Sequence, residues 1–472
     1  MENKDFEELL RHVEECAAEF KRIPHSETIR VISHLDCDGI ASAAIITKAL
    51  NRLNRKYAIS VVQQLDERQI AALSREDYKN FIFTDIGSGQ LSKISEALKG
   101  RRVFILDHHE VEHFKSEGVH HINPHMFNID GSNNISGAGV TFLFARALDI
   151  KNEDLAHIAV IGAIGDVQEE NGFSEINSFI LGIAERKGKL MRKKGLRIFG
   201  VQSKPLHKLL EHSSDFVIKG VTGSESGAIQ FLQNIGIKPT DSKGNWRKLS
   251  SLTEEEMQRL ITAVIIARGD EQNPESIIGD NYILPEEKEG SVFRDAKEFS
   301  TLLNACGRMG RASFGIGACL GDIRAKQQAL DTLSEYKKEI TRALNWYEDN
   351  KSSAISGENF LIINAGGNVS PTIIGTLSSI ISKSGEVKAG TIVIGMAQNY
   401  DGTTKVSMRI AGNGHAPNID IRELLKRIVG KCEGETGGHR NAAGAVIPTE
   451  KEEEFISSAV SILNEMAIEE RI

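Results

Sequence analysis

The chain has 472 residues, 40% of them hydrophobic, which is enough apolar material for two or three domains that each bury a core. Its net charge is −8, which excludes a protein that holds nucleic acid by bulk positive charge alone. No apolar run reaches about 18 residues and the first residues are charged, so we predict a cytoplasmic protein with no membrane segment. The five cysteines show no Cys-x-x-Cys spacing, which argues against a zinc ribbon or a disulfide framework.

The first part of the chain alternates between helical and extended patterns. Apolar residues recur at helical spacing from Phe6 to Phe20 and predict an opening amphipathic helix. Strands are predicted at residues 28–33, 58–63, 80–84 and 102–106, with helices such as 40–53 and 91–98 between them. This alternation predicts an α/β fold with a mainly parallel sheet.

Four acidic motifs lie at the ends of neighbouring elements in this region. They are Ser-His-Leu-Asp-Cys-Asp-Gly at 33–39, Thr-Asp-Ile-Gly at 84–87, Leu-Asp-His-His at 106–109 and Gly-Ala-Ile-Gly-Asp at 162–166. Sites converge at the carboxyl ends of parallel strands, so we expect these motifs to meet. An aspartate at such a position can also simply cap the next helix, but four motifs with three histidines among them favour a functional site.

The motifs supply the ligand types of a two-metal hydrolytic centre. Two cations about 3.5–4 Å apart need carboxylates that bridge them, and we predict Asp85 as the bridge. A mixture of carboxylates and imidazoles favours Mn²⁺, with Mg²⁺ as the second candidate. Such a centre hydrolyses a phosphodiester without a nucleophile from the protein.

The order of these motifs resembles that of the DHH phosphoesterase superfamily. Farther along, Gly437-Gly438-His439-Arg440 resembles the DHHA1 domain that usually follows it. Between them, Leu-Asn-Ala-Cys-Gly-Arg-Met-Gly at 303–310 resembles a motif of RecJ-type exonucleases. Ile-Asn-Pro-His at 122–125 is more similar to the archaeal RecJ-like group, the GINS-associated nucleases, than to bacterial RecJ.

The resemblance implies a set of catalytic residues that also bind metal: Asp36, Asp38, Asp85, His108, His109 and Asp166. It adds His34 as a metal ligand, although bacterial RecJ usually has aspartate there, and the motifs leave open which histidines bind metal. The implied substrate-binding residues are Arg308, Arg311, Arg409, Gly437, Gly438 and His439. Every acidic position is kept, so we predict an active enzyme rather than a degenerate relative of the kind found in the eukaryotic replicative helicase assembly.

The remaining segments suggest how the domains are arranged. We predict residues 1–195 as the first part of a DHH catalytic domain, 196–290 as a mostly helical insertion and 291–321 as a return to the DHH domain, with the Arg308 motif. A long helix at 322–350 then leads to a smaller α/β DHHA1 domain at 351–472. In that domain we expect a strand at 360–364, a helix at 371–383, and Gly437-Gly438-His439 before a strand.

Two further segments allow two interpretations each. Seven basic residues between Arg186 and Arg197 form either a solvated helix face or one wall of a strand-binding groove. Gly137 and Gly139, at the start of a predicted helix, allow either close approach of the backbone to phosphate or close helix packing.

The resemblance implies a Mn²⁺-dependent exonuclease that degrades single-stranded DNA, and also RNA in some relatives, in the 5′ to 3′ direction during replication or repair. It implies GINS and the replicative helicase as further partners. One alternative within the superfamily is a phosphodiesterase for short oligoribonucleotides or cyclic dinucleotides. An alternative of another class is a GINS-binding replisome scaffold. No GxxxxGK[ST] motif is present, so we expect no use of ATP.

Overall fold

The computed structural model of the chain describes residues 3–112, 114, 118–170, 172–213, 218–268, 274–412, 419–440 and 442–469. The chain divides into two compact units, Met1–Leu330 and Asp331–Ile472. Each unit is described by itself below.

The first unit is built on a five-stranded sheet. Its strands are β1 (Ile29–His34), β2 (Tyr57–Val62), β3 (Asn80–Thr84), β4 (Arg102–Leu106) and β5 (Val119–Ile122). Their order is β2-β1-β3-β4-β5 and every pairing is parallel, which confirms the predicted sheet. The four predicted strands agree with the structure to within one residue at each end. The sequence did not predict β5, because its four residues include two histidines and give no apolar run.

Helices cover both faces of this sheet. They are α1 (Asn3–Lys21), α2 (Cys37–Arg52), α3 (Glu67–Ser74), α4 (Leu91–Ala97), α5 (Gly131–Asn134), α6 (Gly137–Leu148), α7 (Ala156–Gly165) and α8 (Glu175–Arg186). Successive side chains of a strand point to opposite faces. Phe81 and Phe83 of β3 accordingly lie in the same core cluster as apolar residues of α3 and α4. On the other face, Phe104 of β4 makes ring contacts with Phe20 of α1 and Phe144 of α6.

A second, two-stranded sheet marks the borders of the helical insertion. Strand β6 (Met191–Leu196) pairs antiparallel with β7 (Ile278–Ile283), and the helices between them are α9 (Leu206–Glu211), α10 (Glu225–Asn234) and α11 (Glu254–Ala267). Much of the basic run therefore lies on a strand, not on a helix face as one interpretation expected. Some of its charges are paired, because Lys189 lies 2.7 Å from Glu286 and Arg192 lies 2.8 Å from Glu185.

Three helices follow the insertion: α12 (Ala296–Arg308), α13 (Ala312–Cys319) and α14 (Ile323–Asp349). Helix α14 is the predicted long helix, and it contains the border between the two units. Among the helices in the described ranges, none is both long and apolar enough to cross a bilayer.

The second unit contains a six-stranded mixed sheet. Its elements are β8 (Ile355–Ser356), β9 (Phe360–Asn364), α15 (Pro371–Lys383), β10 (Ile392–Gln398), β11 (Thr403–Ile410), α16 (Ile421–Val429), β12 (Glu435–His439), β13 (Ala442–Pro448) and α17 (Glu452–Glu469). The strand order is β12-β13-β11-β10-β9-β8, and only β9 and β10 pair in parallel. Strand β9 and helix α15 begin and end where the sequence predicted. Gly437-Gly438-His439 precedes strand β13, as expected, and itself lies in the edge strand β12, which the sequence did not predict.

The core of the second unit lies between this sheet and helices α16 and α17. Val406 and Met408 of β11 pack there with Leu425 of α16 and Phe455 of α17. The two units, each with a sheet covered by helices, confirm the predicted α/β fold class.

Two buried carboxyl groups connect α12 to the insertion. Asp295 caps α12 and accepts a hydrogen bond from the backbone N–H of Glu298 at 2.9 Å. The Glu298 carboxylate accepts hydrogen bonds from the backbone N–H groups of Gln202 (2.8 Å) and Ser203 (3.2 Å). Burial, and then repulsion from Glu298, raises the pKa of Asp295 to about 7.

We predict that Asp295→Asn stabilises the protein at pH 8 but not at pH 4. The folded state keeps the Asp295 proton up to about pH 7, whereas the unfolded chain loses it near pH 3.8. The free energy of unfolding of the wild type should therefore fall across this window, by a few kcal/mol at most, and the neutral amide should remove that fall. The measurement is the denaturant midpoint of both proteins from pH 4 to pH 8.

The matched control is Asp149→Asn, because Asp149 caps a 3-10 helix at the surface of the same unit through a hydrogen bond to the N–H of Lys151. The Asp149→Asn protein keeps Asp295, so its free energy of unfolding should still fall across the window. A stability difference between Asp295→Asn and the wild type that does not change with pH would refute the burial argument.

Candidate metal centre

The predicted site lies where the strand order of the first sheet reverses. From β1 the chain runs outward to β2 and then returns to β3 on the other side of β1. In an α/β sheet the crevice at such a point, outside the carboxyl ends of the strands, is where ligands bind. His34 ends β1, Asp85 follows β3, and Asp107 follows β4. The connectivity thus brings these side chains to one edge of the sheet.

The structure brings together all seven residues that the sequence predicted as metal ligands. They form three overlapping groups in which the possible ligand atoms lie within 4.8 Å of one another. The groups are His34, Asp36 and Asp85; Asp85, His108 and His109; and Asp38, His108 and Asp166. Asp85 and His108 each belong to two groups. This overlap fits two neighbouring cations that share ligands, as predicted for Asp85.

The carboxylate of Asp85 lies at the centre of this cluster, whereas its backbone N–H donates a hydrogen bond to the carbonyl oxygen of Leu106. Its side chain is 1% exposed, and neither carboxylate oxygen has a hydrogen-bond donor among the described residues. The oxygens instead face His108 Nε2 at 3.4 Å and His34 Nδ1 at 3.5 Å. A buried carboxylate without partners is costly. Two ligands that each lie about 2.1 Å from one octahedral cation are about 3 Å apart, so a cation between these atoms would fit and would satisfy the carboxylate.

The backbone at the site is strained in two places. Asp85 has φ of +58°, and Val167, which follows Asp166, has φ of +60°. A β-branched residue rarely adopts this left-handed conformation, and each such position costs about 1–3 kcal/mol. The surrounding packing therefore fixes the direction of both carboxylates.

Helix N-termini hold the two aspartates of the first motif. Asp38 accepts hydrogen bonds from the backbone N–H groups of Gly137 (2.6 Å) and Ala138 (3.0 Å) at the start of α6. Asp36 caps α2 and accepts a hydrogen bond from the N–H of Gly39 at 3.0 Å. Each carboxylate oxygen has a second lone pair that can bind a cation. The start of α6 thus binds a carboxylate of the site, which supports close packing rather than phosphate approach for Gly137.

Glycines allow these groups to approach one another. A Cβ atom on Gly137 would lie 2.5 Å from an oxygen of Asp85, and one on Gly162 would lie 2.4 Å from an oxygen of Asp38. A Cβ on Gly39 would lie 2.2 Å from the carbonyl oxygen of His34. Any side chain at these positions would push the ligands apart, so the glycines in these motifs belong to the packing of the site.

Backbone and amide groups orient His108. Its Nδ1 donates a hydrogen bond to the carbonyl oxygen of Gly131 at 2.8 Å, and Gln168 Nε2 donates to the same oxygen at 3.0 Å. Nε2 faces Asp166 and Asp38, whose oxygens lie 3.3 and 3.8 Å away, and with the hydrogen on Nδ1 it is the ring nitrogen that could bind a cation. Metal-binding histidines are typically fixed in this way.

Asp107 orients the pair of histidines instead of joining the ligand groups. One oxygen accepts hydrogen bonds from His109 Nδ1 (2.7 Å) and from the N–H of His108 (2.8 Å). The other accepts a hydrogen bond from the N–H of Ser88 at 2.9 Å. Asn123 Nδ2 joins this network by donating to Ser88 Oγ and to the carbonyl oxygen of His109. The imidazole of His109 is thereby held in place by the carboxylate of Asp107.

Burial and the neighbouring charges raise the pKa values of several members of the site. Burial, followed by repulsion from Asp85 and Asp166, raises the pKa of Asp38 well above its usual range. Burial also raises the pKa of Asp166 to about 7. Burial acts to lower the pKa of His34, but Asp36 and Asp85 outweigh it and raise that pKa well above its usual value. An excess of buried negative charge of this kind is what divalent cations neutralise.

The Arg308 motif packs against the loop that carries Asp36. Asn304 Oδ1 accepts a hydrogen bond from the N–H of Cys37 at 3.0 Å. A Cβ atom on Gly307 would overlap the carbonyl oxygen of Leu35, 1.6 Å away. Arg308 ends α12 and Arg311 precedes α13, and both side chains are half-buried. The motif therefore has a structural role beside the predicted contacts of its arginines with substrate.

The other predicted substrate-binding residues lie together in the second unit. Arg409 of β11, Ala442 of β13 and His439 of β12 are directly opposite one another across three strands, and Gly437 and Gly438 precede His439. Arg409 Nε donates a hydrogen bond to Ser379 Oγ of α15 at 2.9 Å. The backbone of His439 is described, but its side chain lies outside the described parts of the structure.

Sequence reasoning missed the residues that orient the ligands. Ser88, Gly131 and Gln168 act through backbone or amide groups, and neither residue type nor spacing identifies such a role. Asn123 belongs to a motif quoted only for its family resemblance, and its contact with Ser88 gives it a structural function.

Three family models match this chain. Residues 28–165 match the N-terminal domain of the DHH family, residues 198–278 match the DHH-CID domain, and residues 357–465 match the DHHA1 domain. An uncharacterised protein of Methanocaldococcus jannaschii is 31% identical over 469 residues, which cover 97% of this chain and 99% of that protein.

Solved structures show the same fold at low sequence identity. RecJ from Thermus thermophilus in complex with Mn²⁺ is 18% identical with a TM-score of 0.58, and the match covers 96% of this chain and 55% of that one. This chain thus spans about half the length of that RecJ. CDC45 from Entamoeba histolytica is 11% identical with a TM-score of 0.62, and the match covers 98% of this chain and 99% of that one.

We predict that Asp85→Asn abolishes the stabilisation of the protein by Mn²⁺ without destabilising the metal-free protein. Asparagine tolerates the left-handed backbone and removes one of the clustered charges, but it cannot bridge two cations. The wild type should gain about 2.7 kcal/mol at a Mn²⁺ concentration 100-fold above Kd. Thermal unfolding during titration with Mn²⁺ and Mg²⁺ measures this gain, and equilibrium dialysis counts the ions.

Asp66→Asn is the matched control, because Asp66 caps α3 through a hydrogen bond to the N–H of Gln69 and asparagine caps equally well. It should bind metal as the wild type does. An Asp85→Asn protein that still binds two Mn²⁺ ions with unchanged affinity would rule out the bridging position.

Proposed function

This chain belongs to the RecJ-like DHH superfamily, and on that premise we propose that it is an exonuclease that hydrolyses single-stranded nucleic acid with two Mn²⁺ ions. The single observation that carries the proposal is the buried Asp85 carboxylate, which has no hydrogen-bond donor among the described residues and lies among imidazoles and further carboxylates. The superfamily is one of phosphoesterases, and that observation supports retained activity in this member.

The proposed ligands are His34, Asp36, Asp38, Asp85, His108, His109 and Asp166. When bound, two divalent cations activate water and neutralise the charge that develops on a phosphodiester. Asp85 belongs to two of the three groups of possible ligands. Gly131 and Asp107 keep the imidazoles of His108 and His109 in fixed orientations. Mn²⁺ agrees with the mixed ligand set, and one RecJ structure of similar fold contains Mn²⁺.

Further residues are proposed to hold the strand. Arg308 and Arg311 suit backbone phosphates, because a guanidinium group donates two parallel hydrogen bonds to such an anion. In the second unit, Arg409, His439, Gly437 and Gly438 are proposed to bind the terminal nucleotide. Phosphate contacts of this kind position a strand without reading its sequence.

The direction of degradation and the partners follow from the family resemblance. We propose 5′ to 3′ degradation of single-stranded DNA, with RNA as a second substrate, in replication or repair beside GINS and the replicative helicase. The likeness to CDC45, which covers nearly the whole of both chains, favours a second candidate function as a replisome scaffold.

We predict that the purified protein releases mononucleotides stepwise from one end of single-stranded oligonucleotides in Mn²⁺. Strands of DNA and RNA labelled separately at the 5′ and 3′ ends would reveal the direction and the sugar preference. The Asp85→Asn protein should be inactive on every strand, since it keeps the fold but lacks the bridging carboxylate.

Three other results would change the proposal. Hydrolysis confined to oligomers of two to five residues would favour the small-substrate phosphodiesterase. Metal binding without hydrolysis, together with binding of GINS by both the wild type and Asp85→Asn, would favour the scaffold. Equal activity of the two proteins would show that the hydrolysis comes from a contaminant or from another site.

The two glycines of β12 provide a test of substrate binding. Gly438 has φ of +123°, and a Cβ atom there would lie 2.4 Å from the carbonyl oxygen of Ala442, so the fold itself requires glycine. Gly437 has no positive φ, and a Cβ there would meet no atom within 4 Å among the described residues. The fold does not explain this glycine, but the close approach of a nucleotide would.

We therefore predict that two matched substitutions affect different properties, one the binding of substrate and the other the stability of the fold. Gly437→Ala should keep the melting temperature of the wild type and raise KM for single strands about tenfold, whereas Gly438→Ala should lower the melting temperature. Thermal unfolding and steady-state kinetics measure the two effects. Normal kinetics for a folded Gly437→Ala protein would remove Gly437 from the substrate site.

A further inference from the structure

Three strands of the second unit form a row of small residues on the sheet face opposite the core. Ser407 of β11 lies opposite Gly444 of β13, and Gly444 lies opposite Gly437 of β12. The alternate residues of β11 and β13, such as Val406 and Ala445, point into the core on the other face. We call Ser407, Gly444 and Gly437 the small-residue row. Ser407 is buried beneath α15, where a Cβ atom on Gly375 would lie 3.4 Å from its Oγ, whereas Gly444 is half-buried and Gly437 is exposed.

A basic residue of β11 borders this row on each side. Arg409 follows Ser407 by two residues and lies in register with Ala442 and His439. Lys405 precedes Ser407 by two residues and lies in register with Val446 and Glu435. Arg409 follows Lys405 by four positions, which places their Cα atoms about 13 Å apart. Two cationic side chains that leave the strand this far apart can reach two different phosphate groups.

Lys405 has no counter-charge in the described parts of the structure. Its ammonium group extends over Gly444, where a Cβ atom would lie 3.4 Å from Nζ. Burial, and then repulsion from Arg409, lowers the pKa of Lys405 to about 8. Other lysines of this unit do have acidic partners, such as Lys351 with Glu386 at 2.9 Å. A half-buried cation without an anion is unfavourable, and an anionic ligand would offset that cost.

The position of Lys405 distinguishes it from the residues proposed for the terminal nucleotide. Arg409 lies opposite His439 and is held to α15 by its hydrogen bond to Ser379 Oγ. Lys405 lies on the far side of the small-residue row, with Ser407 between it and Arg409. A strand whose end is bound at Arg409 would pass over the row and reach Lys405 with a later phosphate.

We propose that Lys405 binds an internucleotide phosphate of the substrate strand, farther from the strand end than the nucleotide held by Arg409. This inference rests on the proposed exonuclease function and deepens it, because it assigns the second unit a binding site that extends beyond one nucleotide. Gly444 and Gly437 of the small-residue row leave space beside the two cations for the sugar-phosphate backbone, and an ammonium group binds phosphate as a point charge.

The first test measures binding without hydrolysis. In the Asp85→Asn background, fluorescence anisotropy gives the affinity for single strands of about 12 residues over a range of salt concentrations. Lys405→Gln should weaken binding several-fold and should reduce the slope of log K against log salt by about 0.7, the value for one phosphate contact on a single strand. Lys405→Arg should restore the slope because it restores the charge.

The matched control is Lys426→Gln. Lys426 is exposed on α16, the helix that covers the core face of the same sheet, and therefore lies away from the small-residue row. This variant should bind strands with the slope of the parent protein. Equal melting temperatures of all variants would exclude a loss of folding as the cause of weaker binding.

The second test uses kinetics in the otherwise unmodified enzyme. Lys405→Gln should raise KM for strands of about 12 residues and leave KM for a dinucleotide unchanged, because a dinucleotide ends before Lys405. An unchanged salt slope, or an equal increase of KM for both substrates, would overturn the inference while leaving the exonuclease function intact. A wild type that neither binds nor cleaves any single strand would instead overturn the proposed function, and this inference with it.

Discussion

The organisation of the first unit depends on one unfavourable placement, the burial of the Asp85 carboxylate away from any hydrogen-bond donor of the described residues. Asp85 follows strand β3 at the point where the strand order reverses. Its left-handed backbone directs the side chain toward the imidazoles of His34 and His108. Neither the position nor the conformation is favourable by itself. Both become favourable when cations occupy the space between Asp85 and its neighbours. The metals would therefore contribute to folding stability as well as to chemistry.

The packing around the site follows from the need to keep these charges at fixed separations. Glycines at 137 and 162 allow helices α6 and α7 to approach the carboxylates, and the start of α6 neutralises part of the charge of Asp38 with two N–H groups. On the other side, Asn304 and Gly307 of α12 fix the loop that carries Asp36. Because α12 follows the insertion in sequence, the packing around the site is complete only when the chain returns from the insertion.

The sequence predicted those parts of the structure that depend on patterns of side chains. Apolar runs located β1 to β4, and the convergence of strand ends brought the seven expected ligands together, because both follow from general properties of parallel sheets. The orientation of those ligands was beyond prediction. It depends on acceptors such as the carbonyl oxygen of Gly131 and on the backbone N–H of Ser88, groups that nearly every residue carries. Strand β12 was not predicted, because two adjacent glycines give no strand pattern, whereas here they lie on a sheet edge.

The likeness of this fold to both RecJ and CDC45 means that the fold alone does not decide between an enzyme and a scaffold. The energetics of the site do bear on this choice. Asp85 and Val167 each keep a strained backbone, at a cost of about 1–3 kcal/mol apiece, and Asp85 adds a buried charge without a donor among the described residues. A protein that served only as a scaffold would gain stability by replacing these residues, since nothing in a scaffold requires two groups of ligands that share one carboxylate. The cost of this arrangement, which bound cations would offset, is the physical argument for the metal-dependent function proposed above.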